Sequence, residues 1–287
     1  MPEGVEESSR VQLCGAFAVE FSGRRIDHTL PGRQGRLLFA YLVLSRIRPV
    51  SRSTLVDALW GDDQPADTGG ALNALISKTR AVVGGQVLRG RSELILALPE
   101  PAHVDVEVAL AMLHAAESAV AVGAWQRAWS PARSALSVAQ RTFLPETEAP
   151  WAEAWRRRLT DVRSRALECY AETCLELGST ELPGAERAAR ELVDLAPFRE
   201  SGHLLLMRAL AASGNAAEAL AAYASESCCA MSWELTQARP SRRRTSNSSV
   251  SGPRFHQCFG NPVTTMPANA SMHDNNKQSK RCLVSCR

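Results

Sequence analysis

Apolar residues change their spacing several times along this chain, and each change marks an element. From Val11 to Phe21 the text VQLCGAFAVEF nearly alternates, the two-residue period of a strand with one buried face. Ser22-Gly23 supplies a turn before Arg24-Arg25-Ile26 resumes, so a small hairpin is expected. The next stretch, GRQGRLLFAYLVLS (32–45), places Leu37, Leu38, Tyr41, Leu42 and Leu44 at helical spacing and stops before Arg48-Pro49, where proline blocks continuation. Ser51 stands where an N-cap belongs, and Leu55, Val56 and Leu59 form the apolar stripe of a short second helix that ends at Trp60-Gly61. After the acidic turn GDDQPAD, Thr68 is placed to cap a third helix running to about Val83, with Leu72, Leu75, Ile76 and Val83 inward and Gly84-Gly85 as its stop. QVLRGRSELILAL (86–98) then reads as two strands joined by the basic turn Arg89-Gly90-Arg91-Ser92.

From Asp105 to about Glu226 the pattern is helical throughout, rich in alanine and leucine, with breaks at Gly123, Pro145, Pro150, Gly178, Pro183, Pro197 and Gly214. Two Gly-led amphipathic stretches, GAWQRAWSPARSALSVA (123–139) and GNAAEALAAYASE (214–226), echo each other; this points to tetratricopeptide-like helix pairs, with a plain helical bundle as the alternative. Past 226 periodicity gives way to Ser, Asn, Arg and Cys. The chain therefore divides into a disordered N-terminus (1–10), a first folded segment (11–98), a helical second segment (105–226) and a disordered tail (227–287), mainly α with a small β component.

The third helix carries the chemistry of interest. Opposite its apolar stripe stand Asn73, Ala74, Ser77, Lys78 and Arg80. Small polar and cationic side chains on an exposed helix suit the major groove of DNA, where Asn pairs with adenine and Lys or Arg with guanine. The same set also fits an ordinary solvated face. A hairpin with a cationic tip directly after such a helix is the winged helix-turn-helix arrangement, in which the helix reads bases and the wing touches the backbone or minor groove.

Charge alone says little. The 287-residue chain has a formal net charge of +3, but residues 227–287 hold nine Lys/Arg against Glu234 and Asp274, so the remainder is slightly acidic. Five of the eight cysteines (Cys228, Cys229, Cys258, Cys282, Cys286) also fall in the tail. Neither Cys258 beside His256 nor the pair Cys282, Cys286 completes a zinc set, and neither metal nor cofactor is expected. The phosphate-loop, HExxH and GxSxG motifs are absent, which argues against an enzyme. No apolar run reaches the length of a membrane span, and the acidic start Met1 to Arg10 is unlike a secretory signal, so a cytoplasmic protein without a membrane partner is expected. Trp125, Trp129, Trp151 and Trp155 either fill the inter-helix core or stack a ligand; helical spacing beside Leu and Ala favours the core. Arg156-Arg157-Arg158 point around a helix rather than along one face, which favours solvated or interdomain roles over a phosphate patch.

The runs GRQGRLLFAYLVL, RPVSRSTLVDALWGDDQP and ALNALISKTRAVVG resemble the OmpR-type winged helix of the SARP-like, antibiotic-regulatory activators of actinomycetes. APWAEAWRRRLTDVRSRALECYAETCLELG and LAPFRESGHLLLMRALAASGNAAEALAAY resemble the bacterial transcriptional activator domain that follows it in that family. The resemblance implies that Asn73, Ala74, Ser77, Lys78 and Arg80 face bases and phosphates, that Arg52, Ser53 and Thr54 hold the backbone, and that Arg89 and Arg91 sit on the wing; Arg52 reads equally well as a solvated charge. It further implies a sequence-specific activator that binds direct promoter repeats on double-stranded DNA, as a homodimer, and contacts RNA polymerase. The alternative is a tetratricopeptide-like interaction scaffold without specific DNA binding. With no receiver-like segment ahead of the winged helix, a signal is expected to reach the second segment or to act through protein abundance. Two departures stand out: Thr79 occupies a position where the family usually buries leucine, and RGRSELIL lacks its usual Gly-Tyr. After Glu226 the family continues with a helix and a motif resembling RDELGxDPxP. One synonymous codon choice for Cys228 to Arg239 reads LRDELGADPGP in another frame, which points to a frameshifted tail; the sequenced codons test it.

Overall fold

The computed structural model describes residues 8–221, and the tail considered above lies outside them. The N-terminal strands are β1 (Ser9–Gln12), β2 (Ala18–Phe21) and β3 (Arg24–Arg25); they are shorter than the alternation suggests, and β1 starts inside the stretch 1–10 expected to be disordered, because Ser9 and Arg10 pair with β2. Gly15, at φ +83°, breaks the run between β1 and β2, a conformation that glycine adopts without a Cβ penalty. These strands pair antiparallel in sequence. A strand that alternation did not reveal, β7 (Ala102–Val104), adds in parallel to the free edge of β1, giving the order β3-β2-β1-β7.

Helix α1 (Gly32–Leu44) buries Leu37, Leu38, Phe39, Leu42 and Val43. Strand β4 (Val50–Ser51) leads into α2 (Arg52–Trp60), where the Ser51 hydroxyl accepts a hydrogen bond from the Thr54 N–H, the expected cap. Helix α3 (Thr68–Val83) is capped one residue earlier than expected, by Asp67, whose carboxylate accepts from the Gly70 N–H at 2.8 Å. An anionic cap also complements the positive end of the helix dipole, which favours Asp67 over the neighbouring hydroxyl. Strands β5 (Leu88–Arg89) and β6 (Glu93–Leu96) form the hairpin, and β4 completes a three-stranded antiparallel sheet in the order β4-β6-β5.

The helical part contains α4 (Asp105–Ala121), α5 (Trp125–Ala139), α6 (Pro150–Leu177), α7 (Leu182–Leu195) and α8 (Glu200–Ala212). Each packs chiefly on its neighbours in sequence, with α6 also touching α4 and α8. Alanines let these helices approach closely: Ala116, Ala128, Ala132, Ala135, Ala166 and Ala171 are all fully buried. Pro150 and Pro183 begin helices rather than break them, since they occupy first-turn positions whose N–H groups have no intrahelical partner. Pro131 lies within α5.

One buried cluster runs through both parts. Val11, Phe39, Leu55, Leu72 and Leu94 belong to it, and so do Val106, Ala109, Val138, Phe143, Ala152 and Leu159. Several polar contacts reinforce the junction. The Asp105 carboxylate, at the start of α4, accepts from the N–H groups of Leu13, Cys14 and Val106 at 2.8 to 3.0 Å. Burial pushes the Asp105 carboxyl above its ordinary pKa, against the pull of those three donors. Burial also raises the neighbouring Cys14 thiol to about 12. Trp151, at the start of α6, donates from its indole N–H to the Ala58 carbonyl of α2 at 3.0 Å and meets Tyr41 edge-on at 5.2 Å. Trp155 stacks on Phe143, and the Arg156 guanidinium donates to the carbonyls of Phe143, Leu144 and Thr147. Arg158 covers the Trp155 ring and Arg157 is exposed. Trp129 donates to Glu181 and packs near Tyr170.

Candidate nucleic-acid interface

Helix α3 sorts its residues by face. Leu72, Leu75, Ile76, Thr79 and Val83 are buried, whereas Asn73, Ala74, Ser77 and Lys78 are exposed. The outward set is therefore continuous over two turns, as the 3.6-residue period requires. Lys78 has no ion pair among the described residues. Thr79, where a leucine was the expected occupant, is 0% exposed, and its hydroxyl has no hydrogen-bond partner.

Arg80 differs from its neighbours. It is half-buried at the edge of α3 and turns toward the hairpin, donating from Nε to the Leu88 carbonyl at 3.0 Å and from Nη2 to the Gly90 carbonyl at 2.8 Å. Arg52, in the first turn of α2, bridges two elements: Nη1 donates to the Arg91 carbonyl at 3.0 Å and Nη2 to Asn73 Oδ1. Ser53 and Thr54 are exposed beside it, and their hydroxyls lie 2.9 and 2.8 Å from Ser51 Oγ. This group sits at an N-terminus with no acid in its first turn, where unpaired N–H groups and the helix dipole favour anions.

The hairpin tip is exposed from Arg89 to Glu93, while Leu88, Leu94 and Leu96 anchor it in the core. Gly90 takes φ +94°, and a Cβ there would lie 1.9 Å from the Glu93 carbonyl oxygen, so the turn requires glycine. Arg89 donates to the Gln86 carbonyl at 2.6 Å. The side chains of Asn73, Ser77, Lys78, Arg52, Arg89 and Arg91 thus lie on three adjoining elements, α2, α3 and the β5–β6 hairpin, with Glu93 the acid on that hairpin. Sequence reasoning did not find the inward engagement of Arg52 and Arg80. The one available signal was Gly90, whose tight turn brings the tip carbonyls within reach of α3.

Comparison with known proteins adds the lineage. Residues 104–228 match the bacterial transcriptional activator domain. The chain is 34% identical over 200 residues to regulatory protein AfsR of Streptomyces coelicolor and 31% identical over 191 residues to that of Streptomyces griseus, in each case over 67% of this chain. Over the matched residues the chain is similar to the SARP-like transcriptional regulators, and its helical part carries their activator domain. It spans only 19% of the length of those AfsR proteins. Its fold is also shared with a solved structure, Mycobacterium tuberculosis EmbR in complex with a low affinity phosphopeptide, at a TM-score of 0.66, covering 75% of this chain and 57% of that one at 23% identity. Both AfsR relatives are regulatory proteins, and among the described residues of this chain no helix is long and apolar enough to cross a membrane.

Proposed function

We propose that this protein is a sequence-specific DNA-binding transcriptional activator whose first segment, 11–98, works as a winged helix and whose helical segment, 105–226, works as a tetratricopeptide-like module. In this reading α3 enters the major groove of a promoter repeat with Asn73, Ala74, Ser77 and Lys78 toward the bases. Ser53 and Thr54 at the start of α2 hold phosphate oxygens, and the side chains of Arg89 and Arg91 meet the flanking backbone or minor groove. The helical module supports a homodimer on the DNA and offers a surface to RNA polymerase, in the cytoplasm, without metal, cofactor or enzymatic chemistry. The observation that carries the reading is the acid-free, exposed face of α3, flanked on one side by the hydroxyl-bearing N-terminus of α2 and on the other by a cationic hairpin tip.

The test is binding of the full chain to promoter fragments from its own gene neighbourhood across a salt series, beside Lys78→Ala. A specific complex should weaken steeply with salt, by about 0.9 logarithmic unit per phosphate contacted for each tenfold rise in salt. Lys78→Ala should cost about 1–3 kcal/mol if Lys78 contacts a base. Equal binding to unrelated DNA, or none, would hand the lead to an interaction scaffold.

A further inference from the structure

Three of the four arginines that a DNA-binding reading enlists as contacts donate to backbone carbonyls of the protein; Arg89 does so locally, to Gln86, whereas Arg80 and Arg52 cross between elements. Arg80 reaches from α3 to the Leu88 and Gly90 carbonyls, and Arg52 reaches from α2 to the Arg91 carbonyl and to Asn73 Oδ1. Gly90 and Arg91 lie beyond the β5–β6 ladder, which pairs only Leu88 with Leu96 and Arg89 with Ile95. Their carbonyls therefore have no strand partner, and the two guanidinium groups supply donors instead. A planar guanidinium with fixed N–H directions holds two acceptors at a set distance and angle, which an ammonium on a flexible stem does not.

We propose that Arg80 and Arg52 are positioning residues that clasp the hairpin tip to α3 and α2, setting the spacing between the wing and the recognition helix, while Lys78, Ser77, Arg89 and Arg91 make the DNA contacts. The proposal rests on the DNA-binding reading above. Arg52 has a second task. A guanidinium only donates, so its bond to Asn73 Oδ1 fixes which way the amide points and leaves Nδ2 as the free, pre-oriented donor. Orientation of a reading side chain before DNA arrives lowers the ordering cost of the complex.

The clasp has consequences in the free protein, and these separate it from direct contact. With the full chain and no DNA, Arg80→Ala and Arg80→Lys should both speed amide hydrogen exchange across residues 88–96 by about tenfold or more, because the hairpin loses charge-assisted ties that hold its tip. On DNA, Arg80→Lys should bind about as weakly as Arg80→Ala although it keeps the charge. Arg91→Ala should add little to Arg80→Ala, since an unclasped tip no longer reaches the backbone, whereas Lys78→Ala should multiply its loss with either. Arg52→Ala should weaken discrimination at the base pair that Asn73→Ala affects. Unchanged hairpin exchange, with Arg80→Lys binding like the unsubstituted chain and Arg80→Ala lowering the salt slope by about one unit, would make Arg80 a phosphate contact and overturn the clasp. If hairpin exchange rises but the unsubstituted chain shows no specific DNA binding, the DNA-binding reading fails, the positioning role with it, and only a structural tie remains.

Discussion

Replacing Thr79 by valine should make this protein more stable. Thr79 is 0% exposed on the inward face of α3, among Leu72, Leu75, Ile76 and Val83, and its hydroxyl finds no partner. Valine has the same branched shape and nearly the same helix propensity, so the exchange isolates one change, a hydroxyl for a methyl. A buried hydroxyl without a hydrogen bond costs about 1–3 kcal/mol, and a buried methyl adds up to about 0.8 kcal/mol in favour of valine. The lower half of that range, about 1 to 2 kcal/mol, is the expected gain. For a folding unit of this size it corresponds to a rise in Tm of about 2 to 8 °C. Thermal unfolding followed by circular dichroism, with a urea titration to confirm an unchanged m-value, measures it. Thr79→Ser, which keeps the hydroxyl and loses the methyl, should move Tm the other way. A Thr79→Val protein that melts earlier would refute the reasoning, since it would mean that the hydroxyl bonds a carbonyl of the preceding turn and that the bond outweighs the methyl.

Four further outcomes follow from the junction and the buried thiols. Trp151→Phe keeps an aromatic ring against Tyr41 but removes the donor to the Ala58 carbonyl, and should cost about 1 kcal/mol in urea unfolding. Asp105→Asn turns an acceptor of three backbone N–H groups into one with a single acceptor oxygen, and should destabilise by about 1–3 kcal/mol near neutral pH. Because the Asp105 carboxyl is raised by burial, the folded chain holds its proton more tightly than the unfolded chain; its contribution favours folding most at acid pH and declines as pH climbs from the ordinary carboxyl value to the raised one, a slope that urea titrations at several pH values should find missing in Asp105→Asn. Burial raises the Cys14 and Cys169 thiols to about 12 and the Cys174 thiol to about 11, so mass-mapped alkylation at pH 8 should leave all three unmodified in the native chain and label them on unfolding.

The helices were the readable part of the sequence. Leu37 to Leu44 and Leu72 to Val83 each carry a strong three-to-four residue period, with glycine or proline at their ends, and local signals of that kind survive into the structure. Strand β7 was hidden because its three residues carry no period of their own and earn their place only by pairing with β1, far away in sequence. The Asp67 cap was missed by one residue because aspartate and threonine both cap well and stand side by side. At the candidate interface, the outward set Asn73, Ala74, Ser77 and Lys78 was legible from the spacing of the buried residues between them. The roles of Arg52 and Arg80 were not, since a charged side chain at the edge of a helix leaves the same trace in the sequence whether it faces water, a phosphate or a carbonyl across a turn.

The shared core changes what the boundary near residue 100 means for the molecule's history and handling. A protease that nicks the link between β6 and β7 should release no free fragment, because Phe143, Trp151 and Trp155 on one side and Tyr41, Leu55 and Leu13 on the other still bury one another. By the same token, recombination that grafted a foreign helical module onto this N-terminal part would have to bring along a matching aromatic face and an acceptor for the Leu13 and Cys14 amides. The two parts are separable as text but packed as one fitted pair.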